Sequence, residues 1–221
     1  MKVRPIITGA TGMVGEGVLH ECLLHTDVEK VLVVGRRTCG VKHAKLTEII
    51  LPDIFDWSTI SDNFKEYNAC FFCLGTTSVG KTPEEYYHTT YDLTLKVATT
   101  LVHANNNITF CYVSGAGTDS TERGKVRWAR VKGKTENDLM KLPFTKTYMF
   151  RPGFLKPTPG LKNTLSIYKY IGWMFPLMRA FSKKSASSLR EIGLAMINTV
   201  RIGYSKQILD GEDIYKLSAE K

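Results

Sequence analysis

The stretch Val3-Arg4-Pro5-Ile6-Ile7-Thr8-Gly9-Ala10-Thr11-Gly12-Met13-Val14-Gly15 decides how the rest of the chain is read. An apolar, strand-like run enters three glycines and leaves them into an amphipathic run of helical character. A phosphate-binding turn needs this arrangement. Gly9 allows the tight turn, Gly12 lets a pyrophosphate approach the backbone, and Gly15 lets the helix pack against its strand. The helix N-terminus adds unpaired N–H groups and a partial positive charge. The spacing is G-x-x-G-x-x-G, not the commoner G-x-G-x-x-G, and its place between strand and helix gives it weight. Gly9, Thr11, Gly12, Met13, Val14 and Gly15 are the first nucleotide-binding candidates.

Around this turn the composition sets bounds. At 221 residues and 43% hydrophobic, residues 1–221 are expected to form one domain with a full core. There is no run of eighteen apolar residues and no basic-then-apolar leader, so a cytoplasmic protein is expected. Five cysteines without framework spacing fit a reducing compartment. Cys70 and Cys73 form a C-x-x-C inside what reads as a buried strand, not at the helix start that a redox pair uses. The histidines lack metal-ligand spacing, and no metal is expected. The net charge of +9 serves an anionic cofactor or substrate as well as nucleic acid. The basic run Arg123–Lys134 has no accompanying nucleic-acid motif and reads as a solvated helix face, so no nucleic-acid partner is expected.

Strand and helix signals alternate from the first residues to about residue 150. Strands are expected near 3–8, 30–35, 45–51, 69–74, 108–113 and 145–151, and helices near 13–25, 58–65, 83–105 and 122–141. This rhythm predicts an α/β fold, a Rossmann-like doubly wound parallel sheet with helices on both faces. Ligands in such sheets bind outside the carboxyl ends of the strands, which singles out the loops that follow them.

After the second strand come Gly35-Arg36-Arg37, about twenty residues past Gly15, where this fold reads the adenosine ribose. An acid there accepts from a ribose 2′-hydroxyl and favours NAD. Two arginines offer planar donors to a 2′-phosphate and favour NADP, although Arg37 alone also reads as a solvated turn. Asp53 is placed to accept from an adenine amino group, with Asp56 as a possible helix cap. Leu74, Gly75 and Thr76 follow the fourth strand, where a glycine admits the cofactor and hydroxyls reach ribose or phosphate. Thr77 and Ser78 read equally as a polar turn. Ser114 leaves the fifth strand beside Gly115-Ala116-Gly117, able to hydrogen-bond a substrate oxygen or to cap a turn.

Thr8–Gly15, Gly35-Arg36-Arg37, Cys73–Thr77, Val113-Ser114 and Arg151-Pro152-Gly153 together resemble the short-chain dehydrogenase/reductase superfamily. With Val131-Lys132-Gly133 and Glu136, the chain resembles more narrowly the atypical, epimerase-like members grouped with the human Tat-interacting oxidoreductase. The resemblance implies hydride chemistry on a small carbonyl or alcohol, with a serine that orients the substrate and a Tyr-x-x-x-Lys. Tyrosine handles the proton; lysine, one turn on, lowers its pKa and holds the nicotinamide ribose. Ser114 and Lys132 match these catalytic roles, and Pro152 and Gly153 match the backbone beside the nicotinamide amide. The tyrosine position holds Trp128.

An indole N–H is no proton donor or acceptor near neutral pH. Three readings follow. Tyr86, Tyr87, Tyr112 or water supplies the proton; or the chain binds NADP without turnover, as a regulator or partner-binding protein; or the helix register differs from the one fixed by Lys132-Gly133. Trp128 is otherwise a core aromatic or, with Phe154, a wall of the substrate pocket. Residues 155–187 are expected to form a small C-terminal substrate-covering segment, with Ser166–Phe181 as an apolar lid or, in a second reading, a helix at a membrane surface. A closing amphipathic helix over Ser188–Arg201, a strand near Gln207–Leu209 and a turn at Gly211 complete the chain.

Overall fold

The computed structural model describes residues 1–164, 175–176 and 186–220. Three β-rich stretches start the sheet: β1 (Pro5–Thr8), β2 (Val31–Gly35) and β3 (Leu46–Ile50). β4 (Ala69–Phe72), β5 (Thr109–Val113) and β6 (Lys146–Phe150) extend it on the other side of β1. Late in the chain, β9 (Ile208–Leu209) joins the edge. Among the described residues all seven are parallel, in the order β3-β2-β1-β4-β5-β6-β9. The order reverses between β1 and β4, and this switch point opens a crevice at their carboxyl ends.

Alternation of side chains along each strand builds two cores. On one face Ile7, Phe71, Cys111 and Tyr148 pack under α1 (Met13–Leu24) and two late helices, α5 (Leu189–Arg201) and α6 (Gly211–Ser218). On the other, Ile6, Phe72, Phe110 and Met149 pack under a 3₁₀ helix (Trp57–Phe64), α3 (Leu93–Ala104) and α4 (Arg127–Leu139). Cys70 belongs to this second core, whereas Cys73 packs against the first. The two thiols of the C-x-x-C are thus divided between the faces of the sheet.

Several local expectations change. The segment α1 is not amphipathic: lying between the sheet and α5, it buries Val18, Leu19, Cys22 and Leu23 and also Glu21. The helix expected at 58–65 is 3₁₀ throughout. The one expected at 83–105 is α2 (Pro83–Tyr87), a π-helical turn (His88–Asp92) and then α3. The helix expected to start at 122 starts at Arg127 instead. Before it, Asp119 Oδ1 accepts from Thr121 N and Asp119 Oδ2 from Gly124 N, and Glu122 adopts φ 62°, which holds a loop. The turn expected at Gly211 opens α6, whose N-cap Asp210 and Asp213 form a reciprocal capping box.

Past β6 the chain forms β7 (Phe154–Lys156), which pairs in parallel with β8 (Ala186–Ser188). Ser188 then caps α5, accepting from Glu191 N. The expectations for Ser166–Phe181 fall outside the described residues, apart from Phe175 and Pro176; Phe175 is buried, with Lys156 Nζ 5.3 Å from its ring centre. No helix among the described residues is long and apolar enough to cross a membrane.

Candidate nucleotide site

The site starts from the glycine turn. Gly9 has φ 71°, and a Cβ there would lie 2.7 Å from the carbonyl carbon of Cys73 on the neighbouring strand end. A Cβ on Gly15 would lie 2.1 Å from Gly9 O, so only glycine brings α1 this close to β1. Gly12 N donates to Gly9 O at 2.9 Å, and Gly12 stands at the N-cap of α1 without a side-chain cap. The first-turn N–H groups therefore lack the side-chain acceptor that closes most helix starts. Met13 and Val14 turn away to pack on the core. Thr8, fully buried, accepts at its hydroxyl from Cys73 N (3.2 Å) and Leu74 N (3.3 Å), which pins the turn after β4 to the end of β1.

At the switch point lies a cleft of about 360 Å³. Gly9, Ala10 and Thr11 form its floor; Gly35, Arg36 and Arg37 form one wall, and Leu74, Gly75 and Thr76 another. Arg36 and Arg37 are exposed cations, and no Asp or Glu is among the described residues that line the cleft. Asp53 is not in the wall: its Oδ1 accepts from Phe55 N at 2.9 Å, closing the turn that follows β3. That turn presents Ile54 and Phe55 to the cleft, with Leu93 and Thr89 opposite. The Phe55 ring is itself stacked on His88, with centroids 4.5 Å apart and planes 13° from parallel.

The other expected residues gather further along the sheet edge, outside the lining of this cleft. Ser114 is buried, and both its N–H (2.9 Å) and its hydroxyl (3.2 Å) donate to Phe150 O. Lys132, on α4, donates from Nζ to Ser114 O; burial lowers its pKa to about 8, against the attraction of Glu136. Glu136 is fully buried and is bridged by Arg151, whose Nε lies 3.1 and 3.2 Å from its two oxygens. Pro152 O accepts from Ala116 N at 2.8 Å, and Gly153 leads into Phe154 of β7. Trp128 lies one helical turn before Lys132, its ring edge 3.4 Å from where a Gly117 Cβ would stand. Of the tyrosines considered as proton donors, Tyr86 and Tyr112 are buried, and burial pushes both phenols upward. Tyr87 lines a separate groove with Arg127 and Arg130, and burial raises its pKa too.

Thr8, Ala10, Ile54, Phe55, Lys81, Thr89 and Leu93 join the site without having been expected there. Phe55 had a signal, an aromatic two residues after an Asp at a strand end. Lys81 had a weaker one, a lysine just before the Thr82-Pro83 helix start.

Residues 6–126 match the pattern of the NAD dependent epimerase/dehydratase family. The chain is 26% identical to "Protein fmp52-1, mitochondrial" of Aspergillus terreus, with 97% of this chain and 98% of that protein covered. It is 30% identical to "Protein FMP52, mitochondrial" of Debaryomyces hansenii, with 72% and 71% covered. The fold matches that of Gre2 from Candida albicans, solved in complex with NADPH, at a TM-score of 0.68 and 16% identity, covering 94% of this chain and 76% of that one. The mitochondrial names of the relatives overturn the expected cytoplasmic location. Free thiols separate reducing from oxidising compartments and do not separate reducing compartments from one another.

Proposed function

We propose, on the premise that this chain belongs to the NAD dependent epimerase/dehydratase family, that it is a mitochondrial NADP(H)-binding protein of oxidoreductase type acting on a small carbonyl or alcohol. One observation carries the cofactor choice: the wall that reads the adenosine ribose consists of Arg36 and Arg37, with no carboxylate among the described lining residues. The glycine floor fits a pyrophosphate, since Gly9 and Gly15 leave no room for a side chain and the start of α1 has no side-chain cap. Thr11, Leu74, Gly75 and Thr76 would flank the phosphates and ribose, and Pro152 and Gly153 the nicotinamide amide.

Bound NADP(H) would supply or take up a hydride. Lys132 would hold the nicotinamide ribose, and Ser114 would orient the substrate oxygen by turning its hydroxyl away from Phe150 O. Trp128 and Phe154 would wall the substrate pocket. A second reading, a non-catalytic NADP-binding regulator, is favoured by Trp128 at the tyrosine position and by the internal bonds of Ser114 and Lys132. Calorimetric titration with NADPH and NADH tests the common ground of both: NADPH should bind the more tightly, and binding of neither would sink both readings. Turnover of a panel of aldehydes and ketones then separates them.

A further inference from the structure

Lys81 lines the nucleotide cleft, and the roles assigned above leave it without a task. Among the described residues its ammonium has no hydrogen-bond or ion-pair partner, and the same holds for the Arg36 and Arg37 guanidinium groups. The backbone that carries it is fixed. Lys81 O accepts from Arg127 Nη2 at 3.2 Å, and Lys81 N donates to Ser78 O at 3.4 Å. Immediately after it, Thr82 and Glu85 form a reciprocal capping box that starts α2. The backbone that carries Lys81 is thus held on both sides.

The sheet order says which wall Lys81 belongs to. Because β1 lies between β2 and β4, Arg36 and Arg37 approach the glycine turn from the β2 side and Lys81 from the β4 side. Three cations around one cleft without a lining carboxylate repel one another, and an anion between them removes that cost. We propose that Lys81 is a third phosphate-binding cation of this site, engaging the phosphates common to all adenine dinucleotides, while Arg36 reads the 2′-phosphate. This assignment rests on the NADP-binding reading above.

Calorimetric titration of the full chain with NADPH and with NADH tests it, using the parent, Lys81→Met, Lys81→Arg and Arg36→Met. Lys81→Met should weaken both dinucleotides in parallel, by about 10- to 100-fold, the range of a hydrogen bond to a charged group. Lys81→Arg should recover most of the loss, and Arg36→Met should weaken NADPH while leaving NADH nearly unchanged. Matching thermal midpoints without nucleotide should show that the variants fold alike. If Lys81→Met binds both dinucleotides as the parent does, or loses NADPH alone, the assignment is wrong while the NADP reading stands. A parent that binds neither would overturn the NADP reading first.

Discussion

On the proposed binding mode, the cleft at Arg36 takes the adenosine end of the cofactor and the Ser114–Lys132 cluster the nicotinamide end, and the two share one sheet edge but differ in how their polar groups are engaged. At the adenosine end, Arg36, Arg37 and Lys81 have no side-chain partner among the described residues, and no acid is among those that line the cleft around them. At the proposed nicotinamide end, Ser114 is bonded to Phe150, Lys132 to Ser114 and Arg151 to Glu136. On that reading the first end is left open to an anion from outside. The second is satisfied from within, and Trp128 stands where a proton-handling phenol would act. Binding and chemistry are therefore separable properties here, and substitutions can address them one at a time.

The largest expected effect lies at the chemical end. Trp128→Tyr restores a phenol one helical turn from Lys132, and carbonyl reduction should rise by about 100- to 10,000-fold over the parent, the usual range of general acid–base catalysis. Equal, measurable turnover in parent and variant would mean that another group supplies the proton, and turnover in neither would favour the non-catalytic reading. Next comes the buried ion pair. Glu136→Gln leaves Arg151 without its counter-charge and should cost about 3–5 kcal/mol in urea unfolding; a loss below about 1 kcal/mol would remove this pair as the tie between α4 and the end of β6.

At the adenosine end, Arg36→Glu places a carboxylate in the ribose wall and should weaken NADPH by about 100-fold, from loss of a charge-assisted contact and added repulsion. NADH should change far less, and equal losses would break the NADP assignment. The smallest effect is a pH dependence. Lys132 has its folded-state pKa lowered to about 8, so between that pH and its ordinary value near 10.4 the unfolded chain holds more protons. The cost of its buried charge is fully present below about pH 8 and is relieved as pH rises through that window. The stability of the parent minus that of Lys132→Met should therefore rise from pH 8 to 10. A flat difference would show that Lys132 titrates as an exposed lysine does.

The parallel sheet was legible because strands buried on both faces are written as continuous apolar runs, as in Val31-Leu32-Val33-Val34. The glycine turn and Arg36-Arg37 were legible because backbone geometry and charge demand particular residue types at particular places. Asp53 shows the limit. A carboxylate at a strand end looks the same in sequence whether it faces a ligand or closes its own turn, and here it bonds Phe55 N while Phe55 faces the cleft. The grouping of Lys81 with Arg36 and Arg37 depends on strand order, which no local pattern encodes. The late start of α4 comes from Asp119, whose carboxylate competes for the backbone N–H groups of the preceding loop. The α6 helix was missed although Asp210 and Asp213 carry the spacing of a capping box.

The short ladder between β7 and β8 has a consequence for how this protein can change. It brings Lys156 and Ser188 side by side, and the described residues that follow β7 are tied to the body again where Lys162 N and Asn163 N donate to the Glu16 carboxylate. Whatever lies between those strands is anchored at a common base, and doubling its length adds only about 0.6 kcal/mol of loop-closure entropy. Evolution or an engineer can therefore lengthen the connection with β1, its glycines and the arginines after β2 left in place, as long as the bonds of Lys162 and Asn163 to Glu16 are kept.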